Sequence, residues 1–398
     1  MKSIRIYCKN DGMYHDVPKG ATLEEVYESL GLDLGCCVTS CKVNNRVEGL
    51  HYTINDSRDL EYLTLASPSG LRTYTRSLFF VLYKAVRDLY PEAELRIGTP
   101  VSGGYFCRLT LPGGITPEVP ERLRRRMAEI VASDLPFRRV TAHTTDAIEV
   151  FRRQGFTRKV LLLESIGDLY THYYTLGETV DYFYSALLLR TGQLTVFDLV
   201  PFGEGLLLRV PDPEHPDRLR PMTEQHQMFA VFQEQHRRQE ILGCTTVGEL
   251  NTLIRAGHTN DLVNVAEALQ EKQIAQIADH IASHDALRVV LIAGPSSSGK
   301  TTFSKRLSVQ LMACGKKPVS ISLDNYFVDR ERTPLDETGD YDFEHIEALN
   351  LPLFNDQMNR LLVGEEVELP RYDFPTGKSV PSGRRLRLEP DTILILEG

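Results

Sequence analysis

Eight residues, Gly294-Pro295-Ser296-Ser297-Ser298-Gly299-Lys300-Thr301, constrain the fold of this chain more than any other stretch. They fit the phosphate-cradling pattern Gly-x4-Gly-Lys-[Ser/Thr], and the apolar run Val289-Val290-Leu291-Ile292-Ala293 before them has strand character. After them, Phe303, Leu307, Leu311 and Cys314 recur at the spacing of one helix face, and Gly315 is a helix stop. Strand, glycine-bounded loop and helix N-terminus in that order make an anion site, because backbone N–H groups and the positive end of the helix dipole converge on one point. The pattern implies an α/β unit that binds a nucleoside triphosphate. Gly294, Pro295, Ser296, Ser297, Ser298, Gly299, Lys300, Thr301 and Thr302 are the expected cradle, with Lys300 on the β/γ-phosphates and the Thr301 hydroxyl on Mg²⁺. A nucleoside triphosphate with Mg²⁺ is therefore expected, and the loop alone leaves a GTPase, an ATPase and a small-molecule kinase open.

Val319, Ile321 and Leu323 alternate as a second strand, and Asp324 falls at its carboxyl end. That edge of an open α/β sheet is where ligands bind. A carboxylate there can accept a proton from an attacking hydroxyl and share in holding Mg²⁺; the plain structural alternative is a strand-end Asp that caps a turn.

At 398 residues the chain should hold two or three domains, each with its own core. With 42% hydrophobic and 25% charged residues, neither disorder nor a fibrous class is suggested. The net charge of −9 argues against broad nucleic-acid binding while leaving room for a local basic patch. No apolar run approaches the ~20 residues of a membrane span, and Met1-Lys2-Ser3-Ile4-Arg5 opens no signal-peptide core, so the expected address is the cytoplasm, away from the membrane. Seven cysteines, odd in number and sparse, suit reduced thiols. Cys36-Cys37-x3-Cys41 has the look of half a zinc site, but no second Cys or His pair follows at zinc spacing.

Residues 1–66 read as a small α+β unit. Ile4, Ile6 and Cys8 alternate, Asp11-Gly12 turns the chain, and Thr22-Leu23-Glu24-Glu25 is a capping box for a helix ending near Gly31. A hairpin over Lys42–Val47 and a closing strand over Leu60–Leu65 complete it, and Ser67-Pro68-Ser69-Gly70 reads as a linker. The second unit, 67–215, opens with a long helix carrying Leu78, Leu82, Val86 and Leu89, followed by strands around Gly103-Gly104 and a helix from near Pro117. Arg122, Arg124, Arg125 and Arg126 on that helix are either a solvated face or an RNA patch. Strand patterns are expected at Val160–Leu163 and Thr195–Phe197. Residues 216–285 read as a helical connector, and the phosphate-loop unit occupies 286–398.

The last unit resembles the uridine kinase and phosphoribulokinase family. The likeness is carried by Gly294–Thr301, by Ser322-Leu323-Asp324-Asn325-Tyr326-Phe327, and by Asp342-Phe343-Glu344-His345 with Glu347-Ala348. Pro370-Arg371-Tyr372-Asp373-Phe374 and Thr392–Gly398 continue it in order. The resemblance implies ATP as the triphosphate, Asp324 as catalytic base beside Lys300, and Glu344 on the ribose. Phe327 and Tyr372 would lie at the nucleoside, and Glu397 with Thr301 on Mg²⁺. Uridine kinases usually carry a base-contacting His three residues after Tyr-Asp-Phe; here the stretch is Pro375-Thr376-Gly377. The chain ends inside the last motif, which predicts an incomplete kinase domain that binds ATP with weak or absent turnover.

Residues 1–66 resemble a TGS domain, a β-grasp module, through Lys19–Leu23, the Val43-Asn44 hairpin and Asp59–Leu65. Residues 70–205 resemble the editing domain of threonyl- and alanyl-tRNA synthetases through the long helix, Leu89-Tyr90-Pro91, Ile97–Val101 and Gly104-Tyr105-Phe106. Where the active form carries His-x3-His and Cys-x3-His, this chain has Arg76, Phe80, Phe183 and Leu187. Phe and Leu neither coordinate zinc nor move protons, so the domain is expected to be a scaffold without editing chemistry.

The whole is thus expected to be multidomain: a β-grasp α+β domain, an editing-like α+β domain and a parallel-sheet α/β kinase domain. The expected activity is an ATP-dependent kinase acting on a ribose 5′-hydroxyl, with a nucleoside as the small-molecule partner. Two other readings stay open: an RNA- or tRNA-binding regulator with a nucleotide switch, and a sugar-phosphate kinase. RNA contact through the front domains and homo-oligomerisation are open as well.

Overall fold

The alternation of Ile4, Ile6 and Cys8 turns one face of an extended segment inward, and in the computed structural model, which describes residues 2–398, Ser3–Cys8 is strand β1. It pairs antiparallel with β2 (Met13–Pro18) across a turn in which Gly12 has φ 71°. Thr22 caps α1 (Leu23–Leu30): its hydroxyl accepts from the Glu25 amide, the Glu25 carboxylate accepts from the Thr22 amide, and Gly31 ends the helix in the left-handed region. Strands β3 (Val38–Val43) and β4 (Arg46–Glu48) form the expected hairpin, and β5 (Asp59–Thr64) lies between β1, to which it is parallel, and β3. The sheet order is β2-β1-β5-β3-β4, packed on Leu23 and Val26 of the helix.

Ser67–Gly70 is not a linker. Ser67 caps α2 (Pro68–Leu89), its hydroxyl accepting from the Gly70 amide at 3.1 Å, and Pro68 takes the first turn, where a missing N–H costs nothing. The Ser-Pro pair that looked like chain punctuation is a helix start. Helix α2 is the spine of a core with α3 (Glu118–Ala132) and a four-stranded antiparallel sheet, order β11-β12-β7-β6. Those strands are β6 (Glu94–Val101), β7 (Gly104–Thr110), β11 (Asp198–Phe202) and β12 (Gly205–Arg209). A second sheet, β10-β9-β8, is built from β8 (Arg138–His143), β9 (Tyr170–Leu176) and β10 (Thr179–Asp181). Helices α4 (Thr144–Arg153) and α5 (Thr157–Ile166) lie in the sequence between β8 and β9.

Two strand expectations are overturned here. Val160–Leu163 lies inside helix α5, where Val160 and Leu163 share the buried face; four apolar residues in a row suit either period, and the neighbouring turns decide. Thr195–Phe197 is irregular. The Tyr74 hydroxyl donates to the Val196 carbonyl at 3.2 Å and accepts from the Val196 amide at 2.9 Å, satisfying the backbone that a strand partner would have satisfied. On α3, Arg124 pairs with Glu121 and Arg126 with Asp88 and Glu129, which is a solvated, ion-paired face.

The chain divides into two compact units, Met1–Thr259 and Asn260–Gly398. The first ends with α6 (His226–Ile241) and α7 (Val247–Arg255). Helix α7 packs on α5 at Gly248, where a Cβ would meet the Leu162 amide nitrogen at 2.7 Å. Among the described residues no helix is long and apolar enough to cross a membrane.

The second unit is a parallel sheet of β13 (Val289–Ile292), β14 (Lys317–Ser322) and β17 (Thr392–Glu397), order β13-β17-β14. Central strand β17 is buried along its whole length, as a parallel strand covered on both faces must be. One face carries α8 (Thr259–Ala282) and α9 (Lys300–Ala313), with Ile274, Ala278, Leu307 and Leu311 on Ile393 and Ile395. The other carries α10 (Leu351–Leu362) and the hairpin β15 (Val367–Asp373)–β16 (Lys378–Leu386), with Met358, Leu361 and Leu369 on Leu394 and Leu396. The register sets Ile292 and Ser322 on either side of Glu397, so all three strands end in one row.

Candidate active site

That row decides what meets at the sheet's carboxyl edge. The phosphate-loop segment leaves Ile292, Asp324 follows Ser322 by two residues, and Glu397 ends the strand between them. The loop closes through a Ser298 N–H to Pro295 carbonyl bond of 3.2 Å, with Ser297 at φ 59° and Gly299 at φ 89°. Gly299 stands at the N-cap of α9 without any side-chain cap, so the first amides of the helix are open to an anion. A Cβ on Gly294 would sit 2.9 Å from Ser298 Oγ, which can rotate away, and 3.6 Å from Lys300 Cγ. Lys300 folds back over the loop and donates to the carbonyls of Gly294 (2.9 Å) and Pro295 (3.3 Å). One turn further, Ser304 and Ser320 share a 3.1 Å hydroxyl bond that ties α9 to β14.

The Thr301 hydroxyl lies 3.1 and 3.2 Å from the two carboxylate oxygens of Glu397, to which it donates. Asp324 stands at the open side. Desolvation pushes its carboxyl above the ordinary value, the Glu397 charge adds to this, Lys300 offsets part of it, and Glu344 adds again. Those four charged groups therefore share one electrostatic field. Thr302 sits in the first turn of α9 and is exposed.

Phe327 and Tyr372 are brought together, but as a wall rather than as reaching groups. They are 9% and 4% exposed, their rings meet edge-to-face at 5.5 Å, and Phe343, beside Glu344, packs on Phe327 at 5.3 Å. The Tyr372 hydroxyl is buried without a hydrogen-bond partner. Glu344 is exposed, and its backbone amide is held by Asp342 at 3.0 Å.

Sequence reasoning missed the clamp behind this wall. The Asp329 carboxylate accepts from the Ser379 amide and from Lys378, Glu331 pairs with Lys378, and the Arg330 amide donates to the Gly377 carbonyl at 2.8 Å. The Arg330 guanidinium donates to the Phe374 carbonyl and lies under Gly377, where a Cβ would come within 2.9 Å of Arg330 Cβ. The one available signal was the glycine itself, at φ 68° in the turn between β15 and β16.

The donor set suits a triphosphate with a hard divalent cation. One hydroxyl and a nearby carboxylate are all-oxygen ligands, and Mg²⁺ commonly takes one or two carboxylates, leaving phosphates and water to complete its shell. Among the described residues no group of three or more His, Cys, Asp or Glu is placed to cage a metal unaided.

In the first unit, Arg76 donates to the Ala186 carbonyl through Nε (3.2 Å) and Nη2 (3.1 Å), and Phe80 packs on Phe183 at 5.4 Å. Leu187 is buried in the same core. Beside Phe183 and Ala186 lies a cavity of about 180 Å³ that no motif announced, lined among others by Arg46, Glu48, Arg139 and His172.

Fold and site in the second unit define the phosphate-loop segment of a kinase-type α/β domain. Residues 289–398 match the model of the Phosphoribulokinase / Uridine kinase family, and the chain joins this domain to a front half similar to threonine--tRNA ligases. The enzyme named Threonine--tRNA ligase from Symbiobacterium thermophilum is 30% identical over 201 residues, half of this chain and 31% of that one. The Desulforamulus reducens protein of the same name is 32% identical over 165 residues, 42% of this chain and 26% of that one. The chain thus spans less than a third of the length of either relative. A solved structure described as "a Possible Uridine Kinase from Bacillus stearothermophilus" is 26% identical, covering 32% of this chain and 70% of its own at a TM-score of 0.28.

Proposed function

We propose that the C-terminal unit is a nucleoside kinase domain that transfers the γ-phosphoryl group of ATP to a ribose 5′-hydroxyl. The reading rests above all on one observation: the open loop amides, the Thr301–Glu397 pair and Asp324 meet at one sheet edge. ATP with Mg²⁺, when bound, supplies the phosphoryl group and neutralises charge that builds on it. Lys300 exchanges its two carbonyl partners for phosphate oxygens, and Thr301 with Glu397 holds the metal. Asp324 orients the attacking hydroxyl and takes its proton; a carboxyl held above its ordinary value is a better base than a free aspartate. Glu344 accepts from ribose hydroxyls, and Phe327 and Tyr372 wall the nucleoside side. Asp324, Glu344 and Glu397 share one field with a single cation, Lys300, and that excess of negative charge favours a neutral acceptor over a sugar phosphate.

Asp324→Asn tests the assignment in a single-turnover phosphotransfer assay with γ-labelled ATP and a nucleoside panel. Transfer should fall ~10²- to 10⁴-fold while ATP affinity stays within about twofold. Unchanged transfer in the variant refutes the role of Asp324.

The proposed division of the chain is a TGS-like β-grasp domain over 1–66, an editing-like domain over 67–215, a helical connector over 216–285 and the kinase segment from 286. The five-stranded mixed sheet with its single helix supports the first. For the second, the positions that would carry zinc ligands hold an Arg spent on a backbone carbonyl and three apolar side chains packed into core. These front domains act as an accessory scaffold without editing chemistry. Deacylation of mischarged tRNA by the purified protein would contradict that.

A further inference from the structure

Asp324 feels the charges of Glu397, Lys300 and Glu344, but among the described residues its carboxylate accepts no hydrogen bond. Its place is therefore set by the backbone that carries it, the single 3₁₀ turn Leu323–Tyr326. The near end of that turn continues β14, whose register with β17 is fixed as far as Ser322 and Glu397. The far end is held by α10. The Tyr326 carbonyl accepts from the Asn350 amide at 2.7 Å, and the ring meets Phe354 edge-on at 5.2 Å. The Tyr326 hydroxyl donates to Gln357 Oε1 at 2.8 Å, and Gln357 Nε2 donates in turn to the Glu368 carbonyl of β15 at 2.9 Å. Only the amide nitrogen can donate to a carbonyl, so the Gln357 side chain stands one way round. Tyr326 and Gln357 are 1% and 6% exposed, among apolar neighbours that include Met358, Leu361 and Leu369. A buried polar chain thus runs from the turn that carries Asp324, through α10, to the strand that carries Tyr372. What it adds over apolar contact is a fixed distance and direction.

Resting on the nucleoside-kinase reading above, we infer that Gln357 is a positioning residue for phosphoryl transfer: through Tyr326 it fixes the turn that aims Asp324, and through Glu368 it ties that turn to the strand of Tyr372. A carboxylate without hydrogen bonds of its own follows any shift of its turn. Misplacing a reacting group by about 1 Å can cost ~10²-fold in rate. The triphosphate is held elsewhere, by the loop amides and Lys300, so its affinity does not pass through this pair.

The test is a cycle of variants of the full chain, read by single-turnover transfer from γ-labelled ATP to saturating nucleoside. Tyr326→Phe keeps the ring on Phe354 and removes only the hydroxyl. The rate should fall ~10- to 100-fold, with the ATP dissociation constant within about twofold of the wild type. Introduced into Asp324→Asn, the same change should cost less than about twofold further, because groups that act as a unit are not additive. Gln357→Leu should repeat the pattern. Equal losses in both backgrounds would mean that the pair merely supports the fold, and they overturn the inference, as does a rate that neither variant changes. Hydrogen exchange at the Phe327 amide, bonded to the Asp324 carbonyl at 3.3 Å, needs no turnover. It should quicken ~5-fold in Tyr326→Phe, as expected for one lost hydrogen bond, and unchanged exchange also overturns the inference. Binding of ATP by the wild-type chain with no transfer to any nucleoside overturns the kinase reading itself.

Discussion

Gly377 sits at φ 68° directly over Arg330, and Gly383, in the same hairpin, sits at φ 71° with nothing within 4 Å of where a Cβ would be. The two glycines therefore separate backbone strain from contact. Placing Ala in the left-handed region costs about 1–2 kcal/mol, offset by about 0.4–1 kcal/mol from a less flexible unfolded chain. Either substitution should thus cost about 1 kcal/mol from the backbone alone. At Gly377 the new methyl would also come within 2.9 Å of Arg330 Cβ and Nε, so Arg330 must move and release the Phe374 carbonyl. Loss of that bond adds about 1 kcal/mol. Hydrogen exchange at the Gly377 and Ser379 amides, which are bonded to the Asp373 carbonyl and the Asp329 carboxylate, reads the local opening. Exchange should quicken ~30-fold in Gly377→Ala and ~5-fold in Gly383→Ala, the factors that 2 and 1 kcal/mol imply. Adding Arg330→Ala should make the Gly377→Ala cost sub-additive by about 1 kcal/mol. Equal acceleration by the two glycine variants would show that Arg330 does not brace the turn.

Two pH effects should follow. Partial burial works against ionisation of Glu249, but the amide and hydroxyl of Thr245, then Thr246 and Arg158, outweigh it and bring the carboxyl from its ordinary 4.5 down to about 2. A carboxyl lowered by folding stabilises the fold above its unfolded value, and that stability is lost as the pH falls from about 4.5 toward 2. The full interval corresponds to about 3 kcal/mol, and solvent screening at this partly exposed cap reduces the expectation to about 1–2 kcal/mol. Glu249→Gln should flatten the acid limb of the melting curve; an unchanged acid limb would show that the cap is not held through charge. Asp324 has the opposite sign: its carboxyl is raised, so ionising it opposes folding once the pH passes the unfolded value. Asp324→Asn should accordingly raise the melting temperature slightly at neutral pH and remove the low-pH limb from any phosphotransfer profile.

The candidate site was legible where a short stretch of sequence carries its own geometry. The phosphate loop, its flanking strand and helix, and the strand that delivers Asp324 all lie within local periodicity. The Thr22 capping box and the Asn44 turn were readable for the same reason. The misread stretches are those in which local signals are degenerate. Ser67–Gly70 carries both linker and helix-cap chemistry, Val160–Leu163 has no period, and Val196 finds its hydrogen bonds on the distant Tyr74 hydroxyl.

Local chemistry by itself determined the glycine-bounded loop, the uncapped helix that follows it and the carboxylate just beyond the next strand's end, because backbone amides, a dipole and a strand terminus are properties of consecutive residues. Spacing alone does not bring Glu397 to Thr301 across 96 positions; the family resemblance implied that pairing and the tertiary structure supplies its geometry, whereas only the tertiary structure decided that Arg330 and Gly377 clamp the aromatic wall from opposite sides of a turn. Both depend on parallel-strand register and side-chain packing, which fix distances between residues that no sequence spacing encodes.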